Sequence, residues 1–349
     1  MKKPTALGIS RSGDARNPHV FQYTLRFLRS GGTRPSFARD GFFTNSQLSY
    51  TCRPRRRPKH LRDKREKYHH ALRALAIRLQ KIHIVGQPQL TITGTPIYLD
   101  VEALPDREFY YLIGAGIDVD DSFMQRSFWA DDFHGENGIW SEFLSMLAGI
   151  QNPLLIHYGS FEATFFKRMV ERYGEPPEGS SAAKAIASSV NLVSFLFAQV
   201  YFPTYSNRLK EFGSYLGFRW SSTNPSGTQS IIWRTDWERS GDLAAKQNLI
   251  LYNAEDCQAL HALTRTLLRI VHPDDQQHMK DGTAPEVASA DSSASREGLW
   301  RKFSSPIVAF QVINKAARWD FQRDRIYIRT DKGRRRTASA IKTRVKRPL

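Results

Sequence analysis

Residues 96–106, Pro-Ile-Tyr-Leu-Asp-Val-Glu-Ala-Leu-Pro-Asp (PIYLDVEALPD), decide how the rest of the chain is read. The run has the texture of a buried strand, and on a strand positions i and i+2 share a face. Asp100 and Glu102 therefore sit side by side. Like charge and desolvation both oppose an ionised pair of this kind. Either water or a cation must cover it.

Working outward, two more β-rich runs follow, EFYYLIGAGID and SFMQRSFWA, separated from the first and from each other by the turn segments LPDR and DVDD. Together they predict a meander. NGIWSEFLSMLAGI then places Ile139, Phe143, Met146 and Leu147 on one helical face. PLLIHYG reads as a compact strand, and SFEATFFKRMVERYG as a helix with Ser160 at its N-cap and Gly174 beyond its end. Residues 181–200 read as one long helical region, SNRLKEFGSYLGF as a further helix, and the segment from Asp242 to about Val271 as the most strongly helical of all. Three antiparallel strands followed by alternating β/α units is the order of a ribonuclease H-like sheet, so the expected class is α/β with a mixed sheet flanked by helices.

Charge is distributed unevenly. Residues 53–83 carry twelve Lys/Arg against two acids, and residues 331–349 carry eight against one; together these two segments equal the net charge of +17. A neutral body with basic extensions at both ends is the footprint of a polyanion-binding protein, with DNA or RNA as the expected partner. Arg55, Arg56, Arg57, Lys59, Arg62, Lys64 and Arg65 in the first segment, and Arg334, Arg335 and Arg336 in the second, are the candidate phosphate contacts. Within the first segment, Leu72, Leu75 and Leu79 mark a basic amphipathic helix, with His69 and His70 expected at its surface. Apolar runs fall short of the ~20 residues that cross a bilayer, and no apolar leader follows the N-terminal Met-Lys-Lys. Cys52 and Cys257 support neither a disulfide framework nor a cysteine zinc site, which suits a cytoplasmic location.

Four carboxylates can meet at one edge of such a sheet, where C-terminal strand ends and helix starts gather. Asp100 and Glu102 lie on the first strand, Glu162 in the first turn of the helix after LLIHYG, and Asp256 one helical turn beyond Tyr252. All-oxygen ligation of this kind suits Mg²⁺ or Mn²⁺, and two such ions can clamp the attacking and leaving oxygens of a phosphodiester. Trp220, Trp233 and Trp237 read as core aromatics or base-stacking platforms, and Lys210 and Arg208 as solvated surface.

YLDVEALPDREFYYLIG, HYGSFEATFFKRM, YFPTYSNRLKEFGSYLGF and YNAEDCQAL together resemble the YprB-type ribonuclease H-like domain over roughly residues 95–270. That domain belongs to the DnaQ-like, DEDD class of 3′–5′ exonucleases and is found in predicted RecB-family nucleases. The resemblance implies that Asp100, Glu102, Glu162 and Asp256 hold two divalent ions and that Tyr252 orients the attacking water. Here Glu162 and His157 stand near the places where the class usually has Asp and, upstream, Asn. Two other readings stay open: a nucleic-acid-binding module with impaired catalysis, and a transposase- or resolvase-like endonuclease. The expected organisation is a poorly ordered segment over 1–50, a basic helical segment over 51–95, the exonuclease-like domain over 96–271, a linker over 272–296, and a small helix–strand element with a basic tail over 297–349. Oligomeric state is not legible.

Overall fold

The computed structural model describes residues 44–49, 52, 69–119, 122–222, 226–272 and 285–290. The chain divides into two compact units, one of Met1–Cys52 with Trp300–Leu349 and one of Arg53–Leu299. In the first, helix α1 (Asn45–Ser49) opens on a reciprocal cap. The Gln47 amide donates to the Thr44 hydroxyl at 3.1 Å, and the Thr44 amide donates to Gln47 Oε1 at 3.0 Å. Two amides that a helix start leaves without partners are thereby satisfied.

The second unit begins with α2 (His70–Leu79), which buries Leu72 and Leu75. His69 is half-buried rather than a surface residue, because its Nδ1 accepts from the Leu72 amide at 3.1 Å and caps the helix. A short strand, β1 (Ile82–Ile84), follows. Then come β2 (Thr95–Leu104), β3 (Phe109–Val119) and β4 (Ser122–Trp129), the expected antiparallel meander. Next are α3 (Glu136–Ala148), β5 (Pro153–His157), α4 (Phe161–Tyr173), α5 (Ser181–Ala187), β6 (Val190–Asn191), α6 (Leu192–Leu196) and β7 (Val200–Tyr201). The unit closes with α7 (Leu209–Tyr215), α8 (Gly227–Ser240), α9 (Leu243–Val271) and β8 (Val287–Ser289).

β5 pairs parallel with β2 and β6 parallel with β5, so the main sheet has the order β4-β3-β2-β5-β6. Both faces are covered. Ile97, Leu99, Val101 and Leu155 pack with Phe143 of α3, Phe165 of α4 and Ala185 of α5. On the opposite face Tyr98 and Ile156 pack with Cys257, Leu260 and Leu263 of α9. Strict alternation along β2 thus sends Tyr98, Asp100 and Glu102 toward α9. Just after them the register with β3 slips: Glu102 pairs with Leu112, and Ala103 with Tyr110. Tyr111 is the extra residue of the resulting bulge.

Three differences from the sequence reading stand out. Residues 181–200 form α5, β6, α6 and β7 instead of one helix. The break comes at Asn191, whose side chain caps α6 at the Val193 amide (3.0 Å) and pairs with both backbone groups of Gly159 at 2.7 and 3.1 Å. A second, three-stranded sheet, β7-β1-β8, draws strands from segments read as helical and as linker. Finally, α8 was not expected, because its buried positions are the polar Ser230 and Arg234.

Arg234 holds α8 in place. Its guanidinium lies 4.6 Å from the rings of Tyr111 and Trp237, 4.9 Å from Trp129 and 5.2 Å from Phe109. It donates to the Ala130 carbonyl at 3.0 Å, the Asp131 carbonyl at 2.5 Å and Glu238 at 2.9 Å. Arg234→Met keeps the bulk but leaves buried carbonyls without donors, so equilibrium urea unfolding should register a loss of about 2 kcal/mol.

Candidate active site

β2 and β5 are parallel neighbours, so their C-terminal ends reach the same sheet edge. Asp100 and Glu102 project there from β2. From the end of β5 the chain turns through Gly159, at φ +112° a position suited to glycine, and enters α4, whose second residue is Glu162. The Asn191 clamp on Gly159 fixes this turn. Opposite them α9 presents Tyr252, Asn253 and Asp256, all buried. Residues from three distant stretches of sequence therefore face one another.

Asp100, Glu102 and Asp256 each have a dedicated support. Asn253 Nδ2 donates to Asp100 Oδ2 at 2.7 Å and to the Asp100 carbonyl at 3.0 Å. The Ser230 hydroxyl donates to Glu102 Oε2 at 2.8 Å. The Trp220 indole donates to Asp256 Oδ1 at 2.7 Å, while Lys210 Nζ lies 3.7 Å from Asp256 Oδ2 and donates to the Tyr252 hydroxyl. Glu162 Oε2 and His157 Nδ1 are buried 3.4 Å apart, and neither makes a hydrogen bond.

The electrostatics show a site short of positive charge. Burial, then the charges of Asp256, Glu102 and Glu162, hold the Asp100 carboxyl well above its ordinary range, with Lys210 pulling the other way. Burial likewise pushes Glu102 up to about 7 despite its bond from Ser230. Asp256 is raised by burial in spite of Lys210 and Trp220. Burial and the same carboxylates push the Tyr252 phenol up. Burial lowers Lys210, against the opposing pull of Asp256, Asp100 and Glu102. The Asp100 carboxyl is thus set against the charges of Asp256, Glu102 and Glu162.

Residues 97–268 match the family model of the RNase H superfamily. The RNase H-like domain so defined contains every one of the five predicted site residues, and the mixed sheet with helices on both faces agrees with that fold. The match points to a nuclease, a hydrolase acting on nucleic acid, and nucleases of this superfamily generally use divalent metals. No curated protein and no solved structure matches the chain. Among the described residues no helix is long and apolar enough to cross a membrane.

Within the RNase H-like domain Asp100, Glu102, Glu162, Tyr252 and Asp256 are brought together. The ten candidate phosphate contacts, Arg55 to Arg65 and Arg334 to Arg336, lie outside the described residues. Among the described residues no three carboxylate, imidazole or thiol groups are already gathered as a metal cage. The donor set nevertheless fits a hard divalent cation: it is all oxygen, deficient in positive charge, and includes Glu162 Oε2 as a buried acceptor without a hydrogen bond.

Sequence reasoning overlooked most of the supports. Lys210, read as solvated surface, points at carboxylates, with its side chain only 26% exposed. Trp220 spends its N–H on Asp256, Trp233 packs edge-on to Tyr252, and Trp237 packs on Trp129 and Arg234. Asn253 and Ser230 went unnoticed. So did Gly114, paired with Asp100 across the sheet, although a glycine inside a strand signals close approach of a neighbouring group.

Proposed function

We propose that the RNase H-like domain is a divalent-ion-dependent nuclease that hydrolyses phosphodiester bonds of DNA or RNA from the 3′ end. One observation carries this reading: Asp100 and Glu102 of β2 and Asp256 of α9 all have raised proton affinity, with the charge of Glu162 on α4 acting on both β2 acids and Lys210 as the cation facing Asp256. Asp100, Glu102, Glu162 and Asp256 would hold Mg²⁺ or Mn²⁺, two ions in the expected form. Bound there, the ions supply charge neutralisation for the phosphodiester oxygens.

The chain's own groups do the positioning. Asn253, Ser230 and Trp220 each hold one carboxylate oxygen and so aim the other, which at Asp256 faces Lys210. The phenol of Tyr252 stays protonated across the working pH range, because burial and then the neighbouring acids oppose its ionisation. It can therefore donate a hydrogen bond to the attacking water or accept one from it. The basic segments at 53–83 and 331–349 would hold the phosphate backbone, giving salt-sensitive affinity.

The test uses the full chain with Mg²⁺ or Mn²⁺ on oligonucleotides labelled either at the 5′ end or internally. The expected result is a ladder of stepwise 3′ shortening that chelator abolishes. Internal cuts of an intact duplex would favour an endonuclease, and ion-independent or absent hydrolysis would remove the enzymatic reading.

A further inference from the structure

Asp256 has two carboxylate oxygens with different neighbours. Oδ1 takes the Trp220 indole proton; Oδ2, the oxygen left for a ligand, faces the Lys210 ammonium at 3.7 Å. Lys210 stands in the first turn of α7, where Leu209 begins the helix, and its ammonium also donates to the Tyr252 hydroxyl. The same ammonium acts on Asp100 and Glu102. A lysine fixed to one surface acid would be unremarkable in a nuclease, since exposed pairs contribute little. Here the cation lies between a buried acid, at Asp256 Oδ2, and the hydroxyl of Tyr252.

We propose that Lys210 is a built-in competitor for the divalent ion: its ammonium occupies the Asp256 side of the acidic pocket and must swing away before an ion can bind there. The inference rests on the reading of this pocket as a metal site. It is physically economical. Four carboxylates with no cation would repel one another in the ion-free protein, and an ammonium on a flexible four-carbon stem relieves that repulsion without locking the site. Its side chain is partly exposed, so a path to solvent exists. A divalent ion arriving beside Asp256 meets like charge from Lys210 and stronger attraction to the acids. Affinity is then the difference between the two.

The experiment is calorimetric titration of the full-length chain with Mn²⁺ alone, without nucleic acid, alongside thermal melting in chelator and in Mn²⁺. Lys210→Met should bind Mn²⁺ at least about tenfold more tightly than wild type, the order expected when a unit charge a few Å away is removed in a hydrated pocket. Lys210→Gln, a second charge-free variant, should do the same, while Lys210→Arg should stay near wild type. Melting adds a readout that a purely structural lysine would not move. Lys210→Met should be less stable than wild type in chelator and gain more from Mn²⁺, whereas loss of mere packing lowers both melts equally. Tight binding must vanish in Asp100→Asn. If wild type and both charge-free variants bind Mn²⁺ with equal affinity, competition is wrong while the metal site stands. If none of them binds Mn²⁺, the metal-site reading falls and takes this inference with it.

Discussion

Asp100→Asn should abolish ion-dependent hydrolysis and, in the same protein, raise the melting temperature measured in chelator. Most substitutions at a working residue lower activity; few also stabilise. The second effect follows from linkage. Asp100 has a folded-state proton affinity well above that of an ordinary aspartate, caused first by burial and then by Asp256, Glu102 and Glu162. The folded protein therefore binds this proton more tightly than the unfolded chain does, and stability falls as pH rises past the unfolded value near 4. Glu102 behaves the same way, with its loss extending to about pH 7.

Asparagine carries no charge to pay for, and its amide carbonyl can still accept from Asn253. At pH 8 in chelator the variant should melt roughly 3 °C or more above wild type, and near pH 4 the two should converge, because wild-type Asp100 is then protonated. Saturating Mg²⁺ or Mn²⁺ should reverse the order, since only the wild type gains from ion binding. Activity should fall on the order of 10³-fold or more. An unchanged hydrolysis rate, or a chelator melt at pH 8 below that of wild type with unchanged circular dichroism, would overturn the assignment.

Legibility from sequence followed the kind of signal each residue emits. β2 to β5 announce themselves because apolar, β-branched and aromatic residues alternate or run between turn formers, and the order of these elements names the sheet. The acids were visible because charge inside an apolar run is costly and so must have a reason. The supports were not. Asn253 is one polar residue among many on α9, and its partner Asp100 lies 153 positions away. Lys210 looks like any helix-surface lysine until the fold turns α7 toward the acids. α8 offers no apolar stripe because a buried arginine, sandwiched by rings from β3, β4 and its own helix, replaces one. Short strands such as β6 and β8 form only because a neighbouring edge is there to pair with, and no local pattern encodes that.

Gly114→Ala carries the second large effect. Gly114 sits opposite Asp100 on β3, and a methyl group built there would come within 1.8 Å of Asn253 Oδ1 and 2.7 Å of its Cγ. Asn253 is fully buried, and its amide is what holds the Asp100 carboxylate and carbonyl. The alanine can be accommodated only if that amide swings away or the strand shifts, and either motion forfeits two hydrogen bonds, one of them to a carboxylate. The expected cost is about 3 kcal/mol by urea unfolding, with hydrolysis down on the order of 100-fold because Asp100 is no longer aimed. A double-mutant cycle separates this account from simple strand distortion. Asn253→Ala alone should also lose stability and activity, since it releases Asp100. In the Asn253→Ala background the colliding atoms are gone, so adding Gly114→Ala should cost under about 1 kcal/mol. If the two losses instead add in full, the glycine serves the strand and not the asparagine, and the link from β3 through α9 to Asp100 does not exist.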